Sequence, residues 1–254
     1  MLSSENAVSL LLKEIYFRYD SYTQADRVDA FFQDSASAIL EKVMTGDFDI
    51  NAMISAVSSG IDQGSILAWS ADAAERAMLD GTRIQGVLPT SNDEETVIGT
   101  YYRDSSVSKI DYYLSTSTHT TSDTRTSPES PTFTTTVDLH SDLTVGEAKA
   151  LPAYVKSGPY GAAKFRTQVF VYGPVGATLT DAHVIAAGVG TSVDRTVEDL
   201  GRPVATFSVF LAPGETSTVS ATFGGVPGAY GPLSVRGTPM INQTTQTVEP
   251  MVCG

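Results

Sequence analysis

Apolar residues recur every three or four positions as far as Leu79 and every second position from Val97 onward, and this change of period divides the chain. Val8, Leu11, Leu12, Ile15 and Tyr19 mark one face of a first helix, with Ser3 or Ser4 as cap. A second helix is predicted from near Thr23, with Asp26 as a capping-box partner. Its buried face is expected to hold Val28, Phe31, Phe32, Ser35, Ile39, Leu40 and Val43, and Gly46 stops it. A third follows Asp49 with Met53, Ile54, Val57 and Ile61, broken by Gly60 and Gly64. A fourth starts at Ser70 as cap and ends at Gly81, and Trp69 is placed to staple that turn or plug the bundle. Four such elements with short links predict helices folded on one another and on a neighbouring sheet. The aromatic pairs Tyr16–Phe17 and Phe31–Phe32 read as core.

Beyond Thr96 the alternation predicts strands over 97–102 and 109–116, joined by a turn at 104–108. Ile110, Tyr112 and Leu114 then share one face, and Lys109, Asp111 and Tyr113 the other. A polar loop at 120–130 and the alternation of Phe133, Thr135, Val137 and Leu139 complete a long hairpin. Further strands are predicted over 165–172, 177–184, 204–211, 216–223 and 233–236, punctuated by Pro174, Gly176, Pro213, Gly214, Gly231 and Pro232. Phe207, Val209 and Leu211, then Pro213 and Gly214, then Val219, Ala221 and Phe223 read as one tight hairpin. The expected fold is α+β. A helical region, residues 1–92, packs on an antiparallel β-sandwich of immunoglobulin-like type, residues 93–254, and the two share one core. The buried cysteine pair and tryptophan of antibody domains are absent, so this rests on rhythm alone.

Charge narrows the partners. The chain has 254 residues, with 16 Lys and Arg against 29 Asp and Glu, for a net charge of −13. Such a surface repels phosphate backbones and anionic lipid headgroups, which argues against nucleic acid. No run approaches the ~18 apolar residues of a membrane helix. The single cysteine, Cys253, has no internal partner for a disulfide and is expected to be an exposed tail thiol. The abrupt opening, Leu2-Ser3-Ser4 straight into an amphipathic helix, suggests a piece of a longer parent with Met1 added.

Candidate chemistry is sparse. His119 and His140 sit on opposite arms of the predicted hairpin, where Asp123 or Asp138 would have to complete a metal site; solvated strand histidines are the simpler reading, also for His183. Asp47, Asp49 and Asn51 have the spacing of a calcium loop, but Ala52 and Ser58 stand where Gly and Glu are required, so helix capping is the better account. Gly158 to Lys164 resembles a phosphate loop loosely, and Ala163 and Phe165 break the match. Gly188-Val189-Gly190 lacks a third glycine. Tyr101, Tyr102, Tyr112 and Tyr113, with the Gly- and Tyr-containing stretch 151–161, read as core or edge packing before a stacking surface. No catalytic, cofactor-binding or metal-ligating residue is assigned, and no cofactor is expected.

Several runs resemble a bacterial family known as domain of unknown function 4012. They are Leu2-Ser3-Ser4-Glu5-Asn6-Ala7-Val8 with Leu11-Leu12; Leu67-Ala68-Trp69-Ser70-Ala71-Asp72; Ser108-Lys109-Ile110-Asp111-Tyr112-Tyr113-Leu114; Leu151-Pro152-Ala153-Tyr154-Val155; and Val171-Tyr172-Gly173-Pro174. The resemblance implies a Gram-positive parent, anchored by an N-terminal transmembrane segment, with this C-terminal portion outside the cytoplasm. It carries over no functional residue. The expected function is a non-enzymatic extracytoplasmic interaction or scaffolding module of the cell envelope, with a wall polymer or envelope protein as partner. The alternative is an envelope enzyme acting on a wall glycan or its lipid-linked precursor, through a cleft between the helical and β regions.

Overall fold

A computed structural model describes residues 2–46, 48–124, 128–153, 155–156, 158–161, 163–228 and 230–250. The helical part comprises α1 (Ala7–Ser9), a π-helical stretch (Leu10–Glu14), α2 (Ile15–Arg18), α3 (Ala25–Thr45), α4 (Ile50–Asp62) and α5 (Ala73–Leu79). A 3-10 turn, Tyr22–Gln24, precedes α3, and the Ser21 side chain accepts from the Thr23 amide to cap it. The start expected at Thr23 therefore lies in that turn. Gly46 ends α3 in the left-handed conformation, φ 67°, which a residue without Cβ adopts without strain. Asp49 caps α4 by accepting from the Ala52 amide at 3.0 Å, and Asp47 lies outside the described residues. Gly60 does not break α4, which runs on to Asp62. The cap of α5 is Asp72, not Ser70: its carboxylate accepts from the Ala74 and Glu75 amides. Trp69 is 76% exposed and plugs nothing.

The β part holds β1 (Thr96–Asp104), β2 (Leu114–Asp123), β3 (Thr132–Ser141), β4 (Phe165–Tyr172), β5 (Thr178–Ala186), β6 (Ser192–Val193), β7 (Val197–Asp199), β8 (Arg202–Leu211), β9 (Thr216–Gly224), β10 (Leu233–Gly237) and β11 (Thr245–Pro250). A short helix, α6 (Val145–Ala150), separates β3 from β4; Thr144 and Glu147 form its capping box. One sheet has the order β10-β1-β4-β8-β6, with β7 also on β8, and the other β11-β2-β3-β9-β5. The chain crosses from one sheet to the other at every connection except β2–β3, β6–β7 and β7–β8.

Two expectations are corrected here. The sheets are mixed, because β10 adds parallel to β1 and β11 parallel to β2. Gly237 lets β10 come this close: a Cβ there would collide with the Thr100 carbonyl oxygen. Second, β8 and β9 do not form a hairpin. β8 pairs with β4 and β9 with β3 and β5, so the turn at Pro213 and Gly214 arches between layers. Alternation identifies a strand with one buried face, and both arrangements satisfy that.

The layers meet through alternate residues. Phe165, Val169 and Val171 of β4 and Phe207, Val209 and Leu211 of β8 face Phe133, Val137 and Leu139 of β3 and Val219, Ala221 and Phe223 of β9. Each such side chain contributes about 1.5–3 kcal/mol on burial. Ile15, Tyr16 and Val28 belong to the same buried cluster, with Tyr19, Phe31 and Phe32 packed against it.

Arg202 fastens the segment leading from the helices to this sandwich. It is 1% exposed. Its Nη1 donates to the carbonyls of Val97 at 2.9 Å and Gly173 at 2.8 Å, and its Nη2 to that of Pro89 at 2.6 Å. Burial pulls the guanidinium below its ordinary pKa, and the carbonyl dipoles compensate its lost hydration. Arg202→Met strands three acceptors and is expected to cost on the order of 3 kcal/mol. That corresponds to a melting temperature lower by about 6–12 °C. A calorimetric shift below about 2 °C would show that the linkage carries no weight.

Candidate functional site

Two surfaces depart from what a self-sufficient sandwich requires. The first is the outer face of α3 and α4. Of the predicted buried face of α3, Val28 and Ser35 are buried and Phe31 and Phe32 partly so. Ile39, Leu40 and Val43 lie exposed, Leu40 by 61%. No residue of α4 or α5 is buried, and Ile54 is 63% exposed. The expectation that these helices close on one another and on a sheet therefore fails beyond Ser35. A 3.6-residue period reports an apolar face and says nothing about which molecule covers it. Ile39, Val43, Phe48 and Met53 line a groove of about 570 Å³ that also takes in Leu2 and Ala7. Met53, Ile54, Val57 and Ile61 line a shallower apolar depression of about 360 Å³ beside it.

The second surface is the corner between β1 and β2. The strand expected from Lys109 begins only at Leu114, because residues Ile110–Tyr113 form a 3-10 turn. Ile110 and Tyr113 are both buried, as an i,i+3 pair on such a turn can be, while Tyr112 packs partly buried against the core. Lys13 Nζ of the π-helical stretch sits 5.3 Å from the Tyr112 ring centre and 5.5 Å from that of Tyr113.

The turn before it is tightly held. Asp104 Oδ1 accepts from the Ser106 amide at 2.7 Å, and Oδ2 from the Ser108 hydroxyl at 3.0 Å. Ser106, fully buried, donates its hydroxyl to the Arg166 carbonyl at 3.1 Å and accepts from the Arg166 amide. This grip holds Val107 at φ 54° with its side chain 87% exposed. A β-branched residue in that region is strained by about 1–3 kcal/mol. Next to the turn lies a cleft of about 580 Å³, lined by Tyr22 from the helical part and by Arg103, Lys109, Arg166 and Gln168 from the β part.

Asp111, at the edge of this corner, titrates abnormally. Burial, with Asp104 adding repulsion and Lys109 opposing both, pushes its carboxyl up to about 6.

The histidines stay apart. His119 lies opposite Thr136 and His140 opposite Ser115, four positions along the ladder. His140 Nδ1 is 2.8 Å from Thr216 Oγ1, and His183 Nδ1 is 2.6 Å from Asp181 Oδ2. Asp138 accepts from Ser117 at 3.0 Å and from Thr218 at 2.6 Å. Among the described residues no three His, Cys, Asp or Glu side chains are grouped to hold a metal. Cys253, Tyr154 and Ala162 lie outside the described residues. Tyr101 meets Tyr172 edge-on at 5.6 Å on the outer face of the first sheet, and Tyr102 packs partly buried against the core. The apolar faces of α3 and α4 are legible in the sequence, but the cleft is not, since Arg103 and Arg166 become neighbours only through the β1–β4 pairing.

No protein-family model matches the chain, and no curated protein matches it.

The raised carboxyl has a consequence for stability. In the unfolded chain Asp111 loses its proton near pH 4, and in the folded chain near pH 6. The folded state therefore binds the extra proton in that window, and its advantage is complete below pH 4 and lost as pH rises through 6. Asp111→Asn is expected to remove about 2–3 kcal/mol of decline between pH 4 and 7 in urea unfolding. Parallel curves for the two proteins would contradict this environment for Asp111.

Proposed function

We propose that this chain is a non-enzymatic interaction module of the cell envelope, displayed on the extracytoplasmic side, and that a protein partner covers the apolar face of α3 and α4. The carrying observation is that face itself: Ile39, Val43, Met53, Ile54 and Val57 present helix-spaced apolar side chains to water. Monomeric proteins seldom leave such contiguous patches open, and a rimmed apolar patch marks a binding surface. A helix face of this kind is matched by an apolar groove or a second amphipathic helix. A wall polymer is polar and gains little from it, so an envelope protein is the better of the two partners. The net charge of −13 speaks against nucleic acid. The runs resembling domain of unknown function 4012 support the envelope placement and an anchored Gram-positive parent. On this reading the sandwich is closest to the immunoglobulin-like type, extended by its two parallel edge strands.

The second reading, an envelope enzyme acting on a wall glycan or its lipid-linked precursor, draws on the cleft where Tyr22 meets Arg103 and Arg166. Its Asp104 already spends both carboxylate oxygens within the turn.

A photo-crosslinking residue at Ile54 of the full-length protein, in its native envelope, separates the two. The interaction module gives one discrete crosslinked protein that disappears when Val57 is changed to Asp; the same probe at Thr180 gives none. Crosslinking equal at both positions, or turnover of wall glycan abolished by Arg103→Gln, would overturn the proposal.

A further inference from the structure

The cleft at the β1–β2 corner is lined mainly by cations although the chain as a whole is acidic. The chain carries 29 acidic and 16 basic residues. Yet Arg103, Lys109 and Arg166 line this one cavity, with Asp104 as the only carboxylate among its lining residues.

Hydrogen bonding sharpens the contrast. Both oxygens of Asp104 are occupied by Ser106 and Ser108. Tyr22 spends its hydroxyl proton on the Ala153 carbonyl, and the Ser108 hydroxyl on Asp104. Ser105 donates to Gln168 Oε1 at 3.2 Å, which leaves the amide NH₂ of Gln168 as its free end. Arg166 commits Nε and Nη2 to Ser208, itself bonded to Asp194, and keeps Nη1. The side chains of Arg103 and Lys109 make no hydrogen bond or ion pair among the described residues. The donors that remain free are those of Arg103, Lys109, Arg166 and Gln168, three of them cationic. Arg103 stands opposite Gln168, and Arg166 is its diagonal neighbour. Facing cations at that separation repel one another unless an anion lies between them.

We propose that this cleft binds a phosphate-class anion, a diphosphate or phosphodiester whose oxygens accept from Arg103, Lys109, Arg166 and Gln168. A ligand of this kind offers acceptors to these free donors, and planar guanidinium groups match its oxygens in pairs. The cavity of about 580 Å³ holds a small molecule or a headgroup and is too small for a folded partner. The turn at Val107 leads into Lys109, which lines the cleft together with the two arginines. This assignment does not depend on the apolar helix face, and a failure there leaves it standing.

Calorimetric titration of the whole chain with pyrophosphate, at low salt, tests it. Flotation with vesicles of phosphatidylglycerol in phosphatidylcholine runs in parallel, to separate a soluble ligand from a lipid headgroup. Pyrophosphate binding at one site is expected, weakening steeply as salt is added. The double variant Arg103→Gln with Lys109→Gln is expected to bind at least tenfold more weakly, and Lys149→Gln as the parent does. Both substituted side chains are exposed and unbonded, so melting should be unchanged; Arg103→Glu alone, expected to abolish binding, serves as a second variant. Flotation without pyrophosphate binding, lost in the same variants, assigns the headgroup as the source. The proposal is overturned if neither probe binds, or if the double variant binds like the parent.

Discussion

Arg202 is the residue on which the arrangement of the molecule depends. A buried cation bonded to three main-chain carbonyls fixes three stretches of chain at once: Pro89 ahead of the first strand, Val97 within it and Gly173 after β4. Those contacts set where β1 begins and where the helical part leaves the sandwich. Asn92 works alongside, donating to the Val175 carbonyl at 2.9 Å and accepting from the Val175 amide at 3.1 Å. With β1 anchored, its pairing with β4 brings Arg103 next to Gln168 and Arg166, and the cationic cleft follows from register alone. The same anchoring holds the segment at Pro89 against the first sheet, while α4 remains uncovered.

Much of the sandwich could be read from the chain. The strand bounds of β4 follow directly from the alternation of Phe165, Thr167, Val169 and Val171 against Arg166, Gln168, Phe170 and Tyr172. What alternation cannot carry is the identity of the neighbouring strand. Phe207 and Phe223 face the same core from opposite layers, and a hairpin would have given them the same pattern. The turn over Ile110–Tyr113 was misread because Ile110 and Leu114 also fit a period of two, although Ile110 with Tyr113 at a spacing of three was there to be seen. For α6 the signal existed too, a Thr144–Glu147 capping box ahead of Ala148, but six residues carry little periodicity. The cleft had no local signal, since its cations come from distant strands.

The helices show a different limit. Their period was read correctly, and the error lay in assuming that an apolar face is covered by the same chain. Ile15 and Val28 are covered by it, and Ile54 is not. Folding stability is thus concentrated in the two sheets, while α4 adds apolar surface without a partner and stands at the low end of local stability.

The central claim is that the sandwich, with Ile15, Tyr16 and Val28 of the helical part packed into its core, needs no partner, whereas α4 is completed by one. Amide hydrogen exchange, read on the isolated chain and on the same chain in the envelope to which the proposed function assigns it, tests it most directly. The account predicts near-global protection for β4, β8, β3 and β9 in both. It also predicts fast exchange for α4 in the isolated chain and a gain of at least tenfold in its protection within the envelope. Protection of α4 equal to that of the strands in the isolated chain, with no gain in the envelope, would contradict it.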